Sequence, residues 1–298
     1  MAEITRILCP IDLSPASLRA FEHAVALARW YEAALVAFHV YSPQPLPMAT
    51  EFGGYVPAPP QLSENEILEE MRRFTQPVAA TQAFEIVVRE GVPVYEIVGQ
   101  VANMNADLLV MGTHGRSGFE RLFLGSVTEK VLRLVACPML TVPPNETVPA
   151  DVVSFKMILC PVDFSPPSIR ALEYALSLAK ETDGRLMVLH VLESYVDAVK
   201  LSEVSQFTVP QFEQHRKDDA MERLKALIPA DAREWCTPDE LVITGKPHRE
   251  IVRVAGDTSA DLIVMGVHGR GAIDVMMFGS TTNELLRAAK CPVLTLRT

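Results

Sequence analysis

The sequence Asp107-Leu108-Leu109-Val110-Met111-Gly112-Thr113-His114-Gly115 runs from an apolar, strand-like segment directly into a loop with two glycines. Gly125 and Ser126 follow, and a helix-like run begins there, so the motif is G-x2-G-x9-G-S. Glycine lets a backbone approach an anion closely, and the free N–H groups of a helix N-terminus point toward that anion. This order of strand, glycine loop and helix indicates an α/β fold with a phosphate-binding site.

The same motif occurs a second time, after the strand-like run Asp261–Met265, in Gly266, Gly269, Gly279 and Ser280. Asp12 has its counterpart in Asp163, 151 positions later, whereas Gly266 follows Gly112 by 154 positions. A period of this length is the size of a domain and not of a solenoid repeat. We therefore predict two domains, 1–145 and 152–298, separated near Pro143–Ala150, where the apolar periodicity stops.

Composition bounds the class of protein. The chain has 298 residues, 49% of them hydrophobic and 21% charged, so each half can bury a core of its own. No apolar run approaches the roughly 20 residues that cross a bilayer, and the N-terminus lacks the basic and apolar regions of a signal peptide. A net charge of −10 argues against a nucleic-acid or anionic-membrane surface. These features predict a cytoplasmic protein that binds neither nucleic acid nor membrane.

The five cysteines are scattered and form neither a disulfide framework nor a zinc pattern. Four of them lie beside strand-like segments, where a reduced cysteine usually behaves as a small buried hydrophobe. We predict a structural role for them.

Each half shows five strand-like runs that alternate with helical patterns. In the first half the predicted strands are Ile7–Ile11, Leu35–Val40, Phe84–Arg89, Leu108–Met111 and Met139–Val142, and the predicted helices run from Ser14 or Ser17 to Tyr31, from Ser63 to Gln82, from Val94 to Met104 and from Ser126 to Val135. This alternation predicts two tandem flavodoxin-like or Rossmann-like domains, each a five-stranded parallel sheet with helices on both faces. Asp12 and the Gly112 loop follow strands one and four, so they should meet in the crevice between those strands.

Three features together resemble a known family. They are the doubled glycine motif, the Pro-x-Asp end of strand one, and the final strand Cys137-Pro138-Met139-Leu140-Thr141-Val142. The chain resembles the ATP-binding branch of the universal stress proteins in its tandem two-domain form, and the resemblance covers nearly the whole length. It implies one ATP site per domain, with the nucleoside against Asp12 or Asp163. It also implies that the last strands of the two domains pair about an internal pseudo-twofold axis.

The predicted nucleotide contacts lie at strand ends, in the glycine loops, or in the first turn of the following helix. They are Pro10, Asp12, Val40, Met111, Gly112, His114, Gly115, Arg116, Gly125, Ser126, Val127 and Thr128 in the first half, and Pro161, Asp163, Val191, Met265, Gly266, His268, Gly269, Arg270, Gly279, Ser280, Thr281 and Thr282 in the second. No protein cage for a metal is predicted, and Mg²⁺ would enter through the ATP phosphates.

Simpler interpretations stand beside these. The glycine motif is also compatible with a tight turn at positive φ followed by a serine N-cap. Asp12 could cap the first helix, with Ser14 as a competing cap, and the arginines of the glycine loops could be solvated. His39 and His190 fit satisfied core histidines. The loops also differ, since Arg121 of the first corresponds to Val275 of the second.

The chain lacks a Walker motif and an evident nucleophile–base pair. We therefore interpret it as an ATP-dependent sensor in stress response, in which the nucleotide alters shape or partners, including a possible homodimer and unknown proteins. Two alternatives stay open, a slow ATP hydrolase or nucleotidyl-transferring enzyme, and a scaffold stabilised by nucleotide. ATP, ADP, AMP and cyclic nucleotides are not distinguished at this stage.

Overall fold

A computed structural model describes residues 4–42, 48–49, 55–56, 62–79, 82–113, 124–144, 155–193, 209–236, 238–267 and 279–297. The first half contains β1 (Arg6–Pro10), α1 (Pro15–Tyr31), β2 (Ala34–Tyr41), β3 (Met48–Ala49), β4 (Tyr55–Val56), α2 (Glu64–Ala79), β5 (Glu85–Glu90), α3 (Pro93–Met104), β6 (Leu108–Gly112), α4 (Ser126–Leu134) and β7 (Met139–Val142). The second contains β8 (Met157–Pro161), α5 (Pro166–Thr182), β9 (Arg185–Leu192), α6 (Val209–Leu227), α7 (Ala232–Trp235), β10 (Asp239–Thr244), α8 (Pro247–Asp257), β11 (Leu262–Gly266), α9 (Ser280–Ala288) and β12 (Val293–Leu296).

The main sheet of the described chain has ten strands in the order β10-β9-β8-β11-β12-β7-β6-β1-β2-β5. Within each half the neighbouring strands are parallel, and β1 lies between β2 and β6 as predicted. The predicted strands of the first half are confirmed, with bounds that shift by at most one residue. Their continuous apolar runs fit this position because parallel strands are covered on both faces. A separate antiparallel pair, β3 with β4, lies in the proline-rich segment after β2.

The helices begin and end close to the predicted residues. Ser14 is the N-cap of α1, since its hydroxyl accepts the N–H of Ser17 at 3.2 Å, and Pro15 occupies the first helical position. The predicted helix 63–82 ends earlier, at Ala79. Pro77 lies inside its last turn, and proline cannot donate the N–H that would continue the helical ladder.

The two halves join through their last strands. β7 pairs with β12 in antiparallel fashion, with Leu140 opposite Leu294. The Thr141 hydroxyl donates to the Val293 carbonyl at 3.1 Å, and the symmetry-related Thr295 hydroxyl donates to the Met139 carbonyl at 3.0 Å. The two five-stranded sheets thus become one, and the pairing implied by the family resemblance is confirmed.

The core lies in two layers, one on each face of the sheet. Below one face, α1 meets α5 across the two halves: the Tyr31 hydroxyl donates to the Glu181 carboxylate at 2.7 Å, and the Trp30 ring lies 6.3 Å from that of Phe155. Cys9 and Cys160 are fully buried, and burial raises the pKa of the Cys137 thiol to about 11. The predicted structural role of the strand cysteines fits this burial, because a thiolate is the reactive form.

Candidate functional site

The carboxyl ends of β1, β2 and β6 bring four of the predicted contacts together, Pro10, Val40, Met111 and Gly112. The register places Leu8 beside Leu109, and Pro10 beside Phe38. Met111 and Gly112 therefore end β6 next to the end of β1, and Val40 lies at the level of the residues that follow Pro10. Because the chain passes from β1 to a helix on one face and from β6 to a helix on the other, a crevice opens between these two strands. Pro161, Val191, Met265 and Gly266 have the same arrangement in the second half.

Asp12 organises the turn from β1 into α1. One oxygen of its carboxylate accepts the backbone N–H of Ser14 at 3.0 Å and the hydroxyl of Ser14 at 2.5 Å. Asp163 makes the same two bonds to Ser165. The alternative in which Asp12 itself caps α1 is therefore wrong in detail, because Ser14 is the cap and Asp12 orients it. Both carboxylates are only partly buried, at the mouth of the crevice.

The residue after each aspartate has a left-handed backbone, which sequence reasoning did not anticipate. Leu13 and Phe164 both have φ of 65°. A bulky non-glycine residue in this region costs about 1–3 kcal/mol, and such strain often accompanies functional turns. Its repetition in the two halves shows that the turn after strand one is a built feature of this fold.

The helix on the other side of each crevice begins with an uncapped glycine. Gly125 and Gly279 are the N-caps of α4 and α9, with φ of −55° and −58°, and among the described residues no side chain caps either helix. Ser126 and Ser280 occupy the first helical position instead. The serine N-cap of the alternative interpretation is therefore wrong, because each serine follows the cap, while the tight turn at Gly115 and Gly269 lies outside the described residues. The Gly125 N–H donates to the Thr113 carbonyl at 2.7 Å, so α4 begins at the end of β6, beside the crevice. The first N–H groups of such a helix have no intrahelical acceptor.

Threonines attach these helices to the preceding strands. The Thr128 hydroxyl donates to the Gly112 carbonyl at 2.9 Å, and the Thr282 hydroxyl donates to the Val267 carbonyl at 3.2 Å. Both threonines are buried. Their position makes them positioning residues for the helix start, while Val127 and Thr281 lie beside them in the same first turn.

Gly266 has a steric reason to be glycine. A Cβ atom built on it would lie 2.8 Å from the carbonyl carbon and the Cβ of Pro167, at the start of α5. When a Cβ lies closer than about 3 Å to such atoms, either β11 or the start of α5 must shift. The glycine at the end of β11 thus permits the close packing of α5 against the strand.

The central parts of both glycine motifs lie outside the described residues. These are His114, Gly115 and Arg116 in the first half, and His268, Gly269 and Arg270 in the second. Arg121 and Val275, the pair that distinguishes the loops, lie there too. Their predicted roles stay predictions.

His39 and His190 are core histidines, as predicted. They are 8% and 6% exposed, and their Nδ1 atoms lie 2.7 Å and 2.6 Å from the carbonyls of Ile11 and Val162. A carbonyl only accepts, so Nδ1 carries the proton in both rings. Each histidine fixes the chain just before the site aspartate.

The second crevice has at its rim a stack of His190, Phe164 and Arg223 that the sequence did not predict. The Phe164 ring lies 4.5 Å from the His190 ring, and the guanidinium of Arg223, on α6, lies 4.1 Å from the centroid of Phe164. A cation–π contact joins residues far apart in sequence, and no spacing rule signals it.

Asp107 and Asp261, which mark the repeat, lie at the opposite end of the strands. The Asp107 carboxylate accepts the N–H and hydroxyl of Thr5 and the N–H of Arg6. Asp261 accepts the N–H groups of Lys156 and Met157. These aspartates pin β6 to β1 and β11 to β8 and do not contribute to the crevice.

The described residues meet neither the requirements of a metal site nor those of a membrane-spanning helix. No group of three histidine, cysteine or acidic side chains there could hold an ion. No described helix is long and apolar enough to cross a bilayer.

Fold and crevice define a tandem chain of two flavodoxin-like α/β domains, each with an aspartate turn facing an uncapped helix N-terminus. The model of the universal stress protein family matches residues 3–143 and 154–297. The chain therefore belongs to the universal stress protein family.

Individual relatives agree with this assignment. The chain is 34% identical to universal stress protein MJ0531 of Methanocaldococcus jannaschii over 46% of this chain and 81% of that protein. It is 30% identical to universal stress protein Rv2005c of Mycobacterium tuberculosis, over 64% of this chain and 62% of that protein. A crystal structure of a universal stress protein from Archaeoglobus fulgidus covers 99% of this chain and 97% of its own at 24% identity, with a TM-score of 0.64, and so shares the fold.

Proposed function

We propose that this universal stress protein is a cytoplasmic sensor that binds one adenine nucleotide, ATP with Mg²⁺ on its phosphates, in each of two domains, 1–145 and 152–298. The observation that carries the proposal is the pairing of Asp12 with the start of α4 across one crevice, repeated by Asp163 and α9. A carboxylate can accept the hydroxyls of a ribose, and a helix N-terminus attracts phosphate.

The first turns of α4 and α9 favour an anion-binding role over a purely structural one. Gly125 leaves the first N–H groups of α4 without a capping side chain among the described residues, and Thr128 fixes the helix against Gly112. The strained turns at Leu13 and Phe164 support a site at the aspartates.

The proposal can be tested by removing a single backbone donor. Ser126→Pro deletes the first N–H of α4, and proline suits the first helical position. The preceding Gly125 has φ of −55° and ψ of 135°, the conformation that a residue before proline prefers. We expect ATP affinity at the first site to fall about 10- to 100-fold, because a hydrogen bond to a charged group contributes about 1.5–3 kcal/mol. Ser280→Pro should do the same at the second site.

Two controls separate binding from folding. Ser126→Ala removes the hydroxyl and keeps the N–H, so it should weaken ATP less than Ser126→Pro. Gly115→Val should empty the first site, while Gly99→Val places the same side chain in open space on α3 and should change nothing. Calorimetric titration gives affinity and stoichiometry, and circular dichroism checks the fold.

The parent should bind two nucleotides per chain and each proline variant about one at matched concentrations. Equal ATP binding by the parent and both proline variants would refute the role of the helix starts. Phosphate release in the same samples distinguishes a sensor from a hydrolase, since the sensor predicts no steady turnover. A universal stress protein has been solved in complex with cAMP, so cAMP joins ATP, ADP and AMP in the titrations.

A further inference from the structure

The second crevice carries a fixed cation beside its aspartate. Phe164 follows Asp163 directly, its ring packs against His190, and the Arg223 guanidinium lies over that ring at 4.1 Å. His190 is itself held by its bond to the Val162 carbonyl. The guanidinium is therefore positioned by a stack that ends in the backbone just before Asp163.

The described residues of the first crevice do not form this stack. Leu13 occupies the position of Phe164, and a leucine offers no aromatic face for a guanidinium. His39 repeats His190 and its carbonyl bond. The two histidines thus make the same bond, and the residue beside them changes from phenylalanine in the second half to leucine in the first.

The helices over the two crevices can be matched by burial. Ile67 and Met71 of α2 are 5% and 0% exposed, and Ala220 and Leu224 of α6 have the same values 153 positions later. This match places Glu70 of α2 where α6 has Arg223. The two crevices therefore differ by a reversal of charge at one rim position.

The chemistry of arginine suggests what such a cation recognises. A guanidinium stacked on a ring keeps its N–H donors at its edges, in a geometry that suits two phosphate oxygens. In dinucleotide-binding folds, an arginine near the carboxylate that binds ribose accommodates a phosphate on that ribose. A glutamate at the same place repels such a phosphate.

We infer that the C-terminal site selects adenine nucleotides that carry a second phosphate on the ribose, through Arg223, and that the N-terminal site, with Glu70, selects against them. This inference rests on the proposed function, because it assumes that a nucleotide lies against Asp163. It makes the two domains sensors of different nucleotides.

The test uses full-length proteins with one working site. Gly115→Val leaves the C-terminal site and Gly269→Val the N-terminal site. In each we would titrate AMP, adenosine 2′,5′-bisphosphate and adenosine 3′,5′-bisphosphate by calorimetry. In the C-terminal-site protein, one bisphosphate should bind about tenfold more tightly than AMP, the lower end of what a charged hydrogen bond contributes at an exposed position. In the N-terminal-site protein, neither bisphosphate should bind more tightly than AMP.

Substitutions at Arg223 and Glu70 should change the ratio of bisphosphate affinity to AMP affinity without changing the affinity for AMP itself. Arg223→Gln should abolish the preference in the C-terminal-site protein, and Leu13→Phe with Glu70→Arg should create it in the N-terminal-site protein. Lys225→Gln is the matched control, because it removes the same charge from an exposed position on the same helix. It should leave the ratio unchanged.

The outcomes separate the two proposals. Absence of AMP and ATP binding from both single-site proteins and from the parent would overturn the proposed function. If AMP binds and the bisphosphate ratio is the same in both sites, or survives Arg223→Gln, nucleotide binding stands and the role of Arg223 is overturned. A loss of preference with Lys225→Gln equal to that with Arg223→Gln would also overturn it, since net charge alone would then explain the effect.

Discussion

The N-terminal and C-terminal halves share the backbone of the crevice and differ in the side chains around it. Both aspartates hold the following serine, both turns have φ of 65°, and both histidines bond the same carbonyl. The differences lie further out, in Arg223 against Glu70 and, at the opposite end of the strands, in the surroundings of Asp107 and Asp261. The geometry of the crevice is thus repeated, while the charges elsewhere in the two halves have diverged.

A large effect on stability is expected at Gly266, where the end of β11 packs closely against the start of α5. Gly266→Ala would place a Cβ atom 2.8 Å from the backbone of Pro167, so α5 must move away from β11. We expect a loss of about 3 kcal/mol in the free energy of unfolding, the upper range for overpacking, because backbone atoms yield less easily than side chains. Urea unfolding measures this loss.

The matched control is Gly256→Ala, on α8, where a Cβ meets nothing within 4 Å. It should stabilise the protein by about 0.5–1 kcal/mol, since alanine favours the helix. Equal stability of the two variants would contradict the close packing that we assign to Gly266.

An intermediate effect should distinguish Asp107 from Asp261. Burial raises the pKa of Asp107, but the hydrogen bonds from Thr5 and Arg6 outweigh it and leave the pKa below its ordinary value. At Asp261 burial prevails over the N–H groups of Met157 and Lys156, and the pKa is raised. At pH 7, Asp107→Asn should cost about 1–2 kcal/mol, because the bonds from Thr5 and Arg6 then go to a neutral oxygen and not to a carboxylate, and Asp261→Asn less than about 1 kcal/mol.

The pH dependence of the two variants has opposite signs. Asp107 stabilises the fold above its unfolded pKa, near 3.9, and this contribution disappears as the pH falls through its lower folded value. The cost of Asp107→Asn should therefore shrink on acidification. The stabilisation from Asp261 is greatest below its unfolded pKa and is lost as the pH rises through its folded value. The loss of unfolding free energy caused by Asp261→Asn should therefore be smaller at pH 7 than at pH 3. Parallel pH profiles would contradict the comparison.

The smallest effect is expected at the seam, where the halves are equivalent. Thr141→Val and Thr295→Val each remove one buried hydroxyl bond and keep the shape, so each should cost about 1 kcal/mol and the two costs should be equal. Thermal unfolding of both variants measures this equality. A difference above about 1 kcal/mol between the two losses of stability would contradict the equivalence of the two threonines.

Much of the fold could be predicted because its signals are local. The strands are continuous apolar runs, and Ser14 with Pro15 marks the start of α1. The left-handed Leu13 could not be predicted, since leucine disfavours that conformation and only its surroundings impose it. Arg223 could not be predicted for a different reason. It meets Phe164 only when α6 folds over β9 and β10, and the segment before α6 has no counterpart of the same length in the first half. The glycine-loop contacts stay predictions.

The antiparallel seam places the two crevices at opposite edges of the sheet. Strand direction reverses between β7 and β12, so the carboxyl-terminal edge of one domain continues into the amino-terminal edge of the other. A partner that approaches either edge meets one filled or empty crevice beside the closed base of the neighbouring domain. Under the proposed function, the two nucleotide sites open at opposite edges of the sheet, and a protein that contacts both must reach around it.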